Sequence, residues 1–414
     1  MNNLGTQELP LAEYGTRPAP VRIIRRAADH FYRPELDVLR FFAFLSVFLY
    51  HGLPAFDLAR HSGLVARLAL YETRIRDAGR SGVCLFFLLS AYLITELLLR
   101  EQRSTGDVHV KSFYSRRILR IWPLYFAFLF LGVALSFLVP SYWLEAKAIV
   151  AFLFLGGNWY VSGRMARLSD NPIWPLWSVS VEEQFYILWP WIAKLGGERW
   201  IRIVSLVLLP ASFATLYGLA RAGPLAATSA HANSLVQFQF FALGALLAIL
   251  LRGRTLRLSL ASRIAMFAAG GASWLAANFV CHVDFVGAIP SPGRWVAGYA
   301  LVTVGCLLFL SSSLGASPQW LPKPLIYLGK ISYGLYVFHM LVFNLVGPLL
   351  WPSESHRAAL QTPWGMVFLS AWALVVLLVA LGGTIALAAL SYRFLERPFL
   401  SMKERFTFIR SRSV

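Results

Sequence analysis

Runs of about twenty apolar residues recur along almost the whole chain, and that pattern decides the solvent in which it can fold. The hydrocarbon core of a bilayer is about 30 Å thick, so a helix needs about twenty apolar residues to cross it. No water is available there to satisfy open backbone groups, which restricts spanning segments to helices and closed barrels. Eleven apolar stretches can be read: Asp37 to Leu53, Gly82 to Leu99, Leu119 to Val139, Ala146 to Gly156, Leu176 to Leu195, Ile201 to Ala220, Ser234 to Leu251, Ile264 to Cys281, Trp295 to Ser313, Leu325 to Leu350, and Trp364 to Tyr392. Hydrophobic residues make up 57% of the 414 residues and charged residues only 14%, with a mean hydropathy of +0.60. This composition excludes a soluble domain and predicts an all-α, polytopic membrane helix bundle.

The fourth stretch has only eleven residues before Gly156 and Gly157 interrupt it, so it reads as a re-entrant or interfacial piece. Ten crossings remain, and charge favours an even number. Both ends of the chain are basic, and positive residues collect on the cytoplasmic side of membrane proteins. The ten-span reading puts Arg100, Arg103, Lys111, Arg116, Arg117, Arg120, Lys194, Arg199, Arg202, Arg252, Arg254, Arg257, Arg263, Lys323 and Lys330 there together with both tails. The expected organisation is a polar, basic cytoplasmic tail over 1–34, a membrane domain over 35–397 and a basic cytoplasmic tail over 398–414. The first 34 residues lack the apolar centre of a cleavable signal peptide.

Orientation in the membrane explains the net charge of +18, so lipid is an expected partner and nucleic acid is not. Cys84, Cys281 and Cys306 are too scattered for a metal motif and too few for a disulfide framework; they read as small buried hydrophobes, and no metal is expected.

Polar residues inside the spans carry the functional signal. Arg40 and His51 are eleven residues apart in the first span. At 100° per residue they share one face, roughly 16 Å apart along the axis. An arginine within a span costs roughly 2.5 to 3.5 kcal/mol on insertion scales and needs a partner or a wet cavity. Snorkelling beside Asp37 is the plainer reading of Arg40, and an interhelical hydrogen bond that of His51. In WSVSVEEQFYILWP, Ser178, Glu182 and Tyr186 follow at i, i+4 and i+8, with Glu183 about 100° away. Glu182 falls at a depth similar to His51, as a carboxylate orienting an imidazole would, unless Glu182 and Glu183 merely pair with Arg80 or Arg164.

SFYSRRILRIWPLY sets Arg116, Arg117 and Arg120 on one helical turn at a cytoplasmic edge. Such a cluster suits the phosphates of a nucleotide-bearing cofactor; positive-inside anchoring is the alternative. In ISYGLYVFHM, Ser332, Tyr336 and His339 form a polar stripe that faces either a cavity or a neighbouring helix.

Taken together, ELDVLRFFAFLSVFLYH, GVCLFFLLSAYLI with Ser90, RRILRIWPLY, NW at Asn158 and Trp159, WSVSVEEQFYILWP, ISYGLYVFH and SYRFLERPF resemble the acyltransferase-3 family of membrane O-acyltransferases over roughly residues 33 to 400. The family usually has glycine where this chain has Ala91, a change between small residues. Some members continue into a further span and an esterase-like domain, whereas this chain stops 18 residues past Glu396, so a partner for the final transfer is expected from elsewhere.

The resemblance implies a cytoplasmic acyl-CoA donor, most simply acetyl-CoA, held by Arg116, Arg117, Arg120 and Ser90, with His51, Glu182 and Arg40 as the catalytic set. It further implies a saccharide or lipid-linked saccharide acceptor contacted by Asn158, Trp159, Trp177, Ser178, Glu183, Tyr186, Tyr336 and His339, in the cell membrane of a bacterium. Intramembrane Arg, His and Glu also mark transporters, and a non-catalytic family member is the third reading.

Overall fold

Apolar composition with few β-branched runs and prolines near helix starts gives helices throughout the computed structural model, which describes residues 32–53, 63–162, 164, 168–223, 226, 229–283, 291–350 and 362–406. Residues 1–31 of the predicted N-terminal tail, including Arg22, Arg25 and Arg26, and the last eight residues of the predicted C-terminal tail lie outside the described residues. The helices are α1 (Pro34–Gly52), α2 (Gly63–Ala78), α3 (Gly82–Thr105), α4 (Val110–Leu138), α5 (Ala146–Leu153), α6 (Gly157–Val161), α7 (Leu176–Arg221), α8 (Ser234–Leu251), α9 (Leu260–Phe279), α10 (Pro292–Ser313), α11 (Lys323–Lys330), α12 (Ser332–Leu350), α13 (Pro363–Ser391) and α14 (Arg397–Met402). No strand occurs among the described residues.

Eight helical segments among the described residues are long and apolar enough to cross a membrane. One of them, α7, has 46 residues. At 1.5 Å per residue that is about twice a bilayer core. It breaks at Gly197, whose φ of +52° and ψ of −144° are not helical, and so supplies two crossings, in line with the two stretches read from the sequence. Adding α1, whose first turns carry Glu35, Asp37 and Arg40, gives ten crossings.

Hydrogen bonds between segment ends fix how these crossings alternate. Arg33 donates to the Gly253 carbonyl at 3.1 Å, Gly315 N–H to Glu35 at 3.1 Å, Lys194 to Asp107 at 2.6 Å, Arg252 to Glu198 at 3.1 Å and Arg116 to the Phe406 carbonyl at 2.6 Å. All these ends therefore meet on one side, called the basic side below. On the opposite, far side, Asn171 donates to the Tyr142 carbonyl at 2.7 Å, Ser162 to Ser229 at 3.2 Å and Asn344 to Asp170 at 2.5 Å. The described chain thus both starts, at the beginning of α1, and ends, after α14, on the basic side, as an even number of crossings requires.

Two elements depart from the sequence reading. The stretch from Leu325 to Leu350 is two helices, because the backbone leaves the helix at Ile331 between α11 and α12. The amphipathic α2, with polar residues interleaved among its apolar ones, falls in a segment without a long apolar run and was not expected. The fourth stretch, Ala146 to Gly156, read as too short to span, forms only the eight-residue α5, and the separate short α6 begins after Gly156. All three cysteines are buried and unpaired, as read from the sequence.

Candidate active site

Glycines set the position of the first functional cluster. The turn Gly79–Ser81 and the start of α3 lie directly against α1: a Cβ on Gly79 would collide with the Ser46 carbonyl oxygen, and one on Gly82 with that of Ala43. This close approach brings Arg80 and Val83 to the α1 face that carries His51. At the other end of α1, a Cβ on Gly329 would collide with the Asp37 carbonyl, so α11 crosses α1 close to the first turn. There Arg40 donates to Asp37 at 2.9 Å, and Tyr32 donates to the other carboxylate oxygen at 2.9 Å.

Two cavities lie along this face. The first, of about 100 Å³, is lined by Arg40, Val83, Phe86, Ser90, Arg117, Arg120, Ser178, Glu182, Tyr186, Ser332, Tyr333 and Tyr336 among others. The Ser90 and Tyr186 hydroxyls are 2.5 Å apart, and the Arg117 guanidinium lies 5.1 Å from the centre of the Tyr186 ring. Glu182 is held near Ser90, Tyr186, Arg117 and Arg40, so one carboxylate shares the pocket with three guanidinium groups. A site with this balance favours an anion.

The second cavity, of about 150 Å³, is lined by Tyr50, His51, Arg80, Val83, Asn171, Trp174, Trp177, His231, Tyr336 and neighbouring apolar residues. His51 is exposed toward it, and its ring centre is 5.2 Å from that of His339. His231 packs on Trp177 at 4.6 Å between ring centres. It lies between α7 and α8, outside the membrane-spanning segments, where burial, with Arg80 and His51 adding to it, holds its imidazole well below the ordinary value.

His339 is fully buried between α1 and α12. Its Nδ1 lies 2.5 Å from the Tyr336 carbonyl oxygen, which can only accept, so Nδ1 carries the hydrogen. Nε2 is then a bare acceptor, without a hydrogen-bond partner among the described residues. The Tyr336 hydroxyl lies 2.9 Å from Ser178 Oγ and 3.3 Å from the Pro175 carbonyl, tying α12 to the start of α7.

The structure gathers some of the sequence-selected residues and separates others. Arg40, Ser90, Arg117, Arg120, Ser178, Glu182, Tyr186 and Tyr336 line the first cavity; His51, Trp177 and again Tyr336 line the second. Glu182 and His51 do not share a cavity. Glu182 lies about two turns into α7, roughly 10 Å below the far side, whereas His51 is the penultimate residue of α1.

Arg116 turns away from the first cavity, donating to Glu101 at 2.9 Å and to the Phe406 carbonyl. Glu183 lies behind the site, where Trp122 donates to it at 3.1 Å. Asn158 is a structural tie, donating to the Ala232 carbonyl at 3.0 Å and to Ser234 at 2.9 Å, and Trp159 points outward. Arg164 sits on Tyr160, with its guanidinium 4.9 Å from the ring centre, so it does not neutralise the glutamates. His231 and the cavity role of Arg80 were missed. His231 belongs to a short Ala-rich loop with no motif, and its only signal is that it is one of eight histidines.

A family model described as an acyltransferase domain matches residues 33–386. A candidate O-acetyltransferase of Staphylococcus aureus, SAS0844, is 27% identical over 393 residues, which cover 89% of this chain and 57% of the relative. The O-acetyltransferase OatA of the same species is 28% identical over 394 residues, with the same shares of 89% and 57%. YrhL of Bacillus subtilis, a candidate peptidoglycan O-acetyltransferase, is 27% identical over 392 residues, covering 90% of this chain and 56% of the relative. The chain thus spans a little over half the length of these curated relatives. No solved structure matches it.

Proposed function

Because the chain belongs to the acyltransferase-3 family of membrane acyltransferases, we propose that it transfers an acetyl group from cytoplasmic acetyl-CoA to a hydroxyl of a saccharide at the far face of a bacterial cell membrane. The observation that carries this reading is the pair of cavities that share Val83 and Tyr336 in their linings, one holding Arg40, Arg117 and Arg120 and the other His51 with Arg80. The relatives named as O-acetyltransferases support the acetyl donor, and the name of YrhL supports a glycan acceptor.

In this reading Arg117 and Arg120 take the phosphates of CoA on the basic side, and Arg40, paired with Asp37, lines the path of the neutral pantetheine arm and can donate to its amide carbonyls. Glu182 offsets part of that positive charge and keeps the Ser90 and Tyr186 hydroxyls oriented. The acceptor hydroxyl enters the second cavity against Trp174 and Trp177, whose faces suit a sugar ring. His51 takes the proton of that hydroxyl as its oxygen attacks the thioester carbonyl. The carbon–sulfur bond then breaks, the electron pair leaves on sulfur, and the proton passes to the thiolate, giving the ester and free CoA.

Purified protein in nanodiscs, given labelled acetyl-CoA and solubilised peptidoglycan strands, tests the reading. Release of CoA with label in the glycan is expected, and His51→Ala should abolish transfer while acetyl-CoA binding persists. Absence of binding and turnover with every acyl-CoA would overturn it.

A further inference from the structure

Resting on that reading, we infer that Val83 and Tyr336 form a filter that limits the length of the acyl group at the point of transfer. Among the described residues, these two side chains line both cavities. In that reading a donor held on the basic side and an acceptor entering from the far side meet at the wall the two cavities share, which places the acyl carbons between the valine methyls and the tyrosine ring.

Neither wall can easily retreat. Val83 is 5% exposed and follows Gly82, whose backbone abuts α1. As a β-branched residue in a helix it has essentially one χ1 rotamer. The Tyr336 hydroxyl is held by Ser178 and Pro175, its ring packs 6.0 Å from Phe86 and 5.4 Å from His339, and its carbonyl accepts from His339. A rigid apolar gap of this kind discriminates by methylene count, and one methylene in such a pocket is worth about tenfold or somewhat more. An acetyl group places one methyl in the gap, whereas a butyryl group places two further methylenes there.

Isothermal titration calorimetry of the protein in nanodiscs with CoA, acetyl-CoA and butyryl-CoA tests the filter without needing the acceptor. The wild type is expected to bind acetyl-CoA at least about tenfold more tightly than butyryl-CoA. Val83→Ala should bring the two affinities close together and leave that of CoA unchanged, a split that a merely structural role would not produce. Val83→Ile should widen the preference. If Val83→Ala does not fold, Tyr336→Phe provides the second reading, because it frees the ring from its tether and should also relax the preference. Equal binding of the two acyl-CoAs by the wild type, or an unchanged ratio in the variants that fold, would overturn the filter while leaving the acetyl-CoA reading intact. Failure of the wild type to bind any of the three ligands would overturn both.

Discussion

His231 occupies the second cavity as a neutral ring, and its environment dictates how it responds to acid. Burial first, then Arg80 and His51, hold its pKa well below 6.5. Above about pH 6.5 the folded and unfolded states both carry the neutral ring, and the group is silent. As the pH falls below that, the unfolded chain takes up a proton that the folded one refuses, so stability drops steadily until the folded ring itself titrates. Thermal unfolding in nanodiscs at pH 7.5 and 5.5 should therefore show a smaller acid-induced decrease for His231→Gln than for the wild type; equal decreases would place the sensitivity elsewhere.

The three arginines of RRILR, alike in sequence, have different neighbours, and that difference is testable. Arg117→Ala and Arg120→Ala should each weaken acetyl-CoA binding about tenfold or more and flatten its salt dependence, since each removes a charge-assisted contact. Arg116→Ala should leave that binding nearly unchanged but cost about 2 kcal/mol of stability, because Glu101 and the Phe406 carbonyl lose their donor. Titration calorimetry and unfolding midpoints on the same samples separate the two effects. The spacing of the triplet announced a basic turn, but an α-helix fans i, i+1 and i+4 over more than one face. Only tertiary contacts decide which guanidinium finds a carboxylate and which faces a cavity.

At the scale of elements, periodicity and charge sufficed for the crossings because a bilayer demands long apolar helices and punishes every other solution. The break in α7 was legible too, since Gly196 and Gly197 divide two apolar stretches. What could not be read were separations across helices. The depth of Glu182 relative to His51 depends on where α7 and α1 start and how they are offset, and a single helical wheel carries no such information. Nor does it reveal which glycines mediate contact.

Ala91, standing where the family usually has glycine, lies 3.1 Å from the position a Cβ on Gly244 would take. The contact between α3 and α8 therefore keeps its small residue on the facing helix. Gly82 has a larger functional consequence. A methyl there would strike the Ala43 carbonyl, and backbone cannot yield as a flexible side chain does. Gly82→Ala should cost about 1 to 3 kcal/mol and, by pushing α3 off α1, displace Val83 and Arg80 from the cavities. The expected result is a lowered unfolding midpoint together with a loss of transfer larger than the loss of folded protein explains; normal transfer from a stable variant would show that this close approach is dispensable.

For the whole molecule, the ten crossings place both ends of the described chain on one side, and the two cavities lie in sequence along α1 rather than side by side. Arg117 and Arg120 therefore face the basic side, and His51, with Arg80, the far side. CoA carries several phosphate charges that a bilayer core does not admit, so in the proposed reaction only the acyl end can advance toward Tyr336. A sugar acceptor is equally barred from crossing by its unsatisfied hydroxyls. This arrangement predicts that transfer is vectorial. In sealed proteoliposomes containing labelled acetyl-CoA, with solubilised glycan strands supplied outside, product should form on the outer strands from those molecules whose basic side faces inward. With donor and acceptor both outside, transfer should be nearly absent until detergent opens the vesicles and restores access to both mouths. Equal rates in the sealed and opened same-side experiments would mean that donor and acceptor reach the site from one face, and the two cavities would then not serve opposite sides of the membrane.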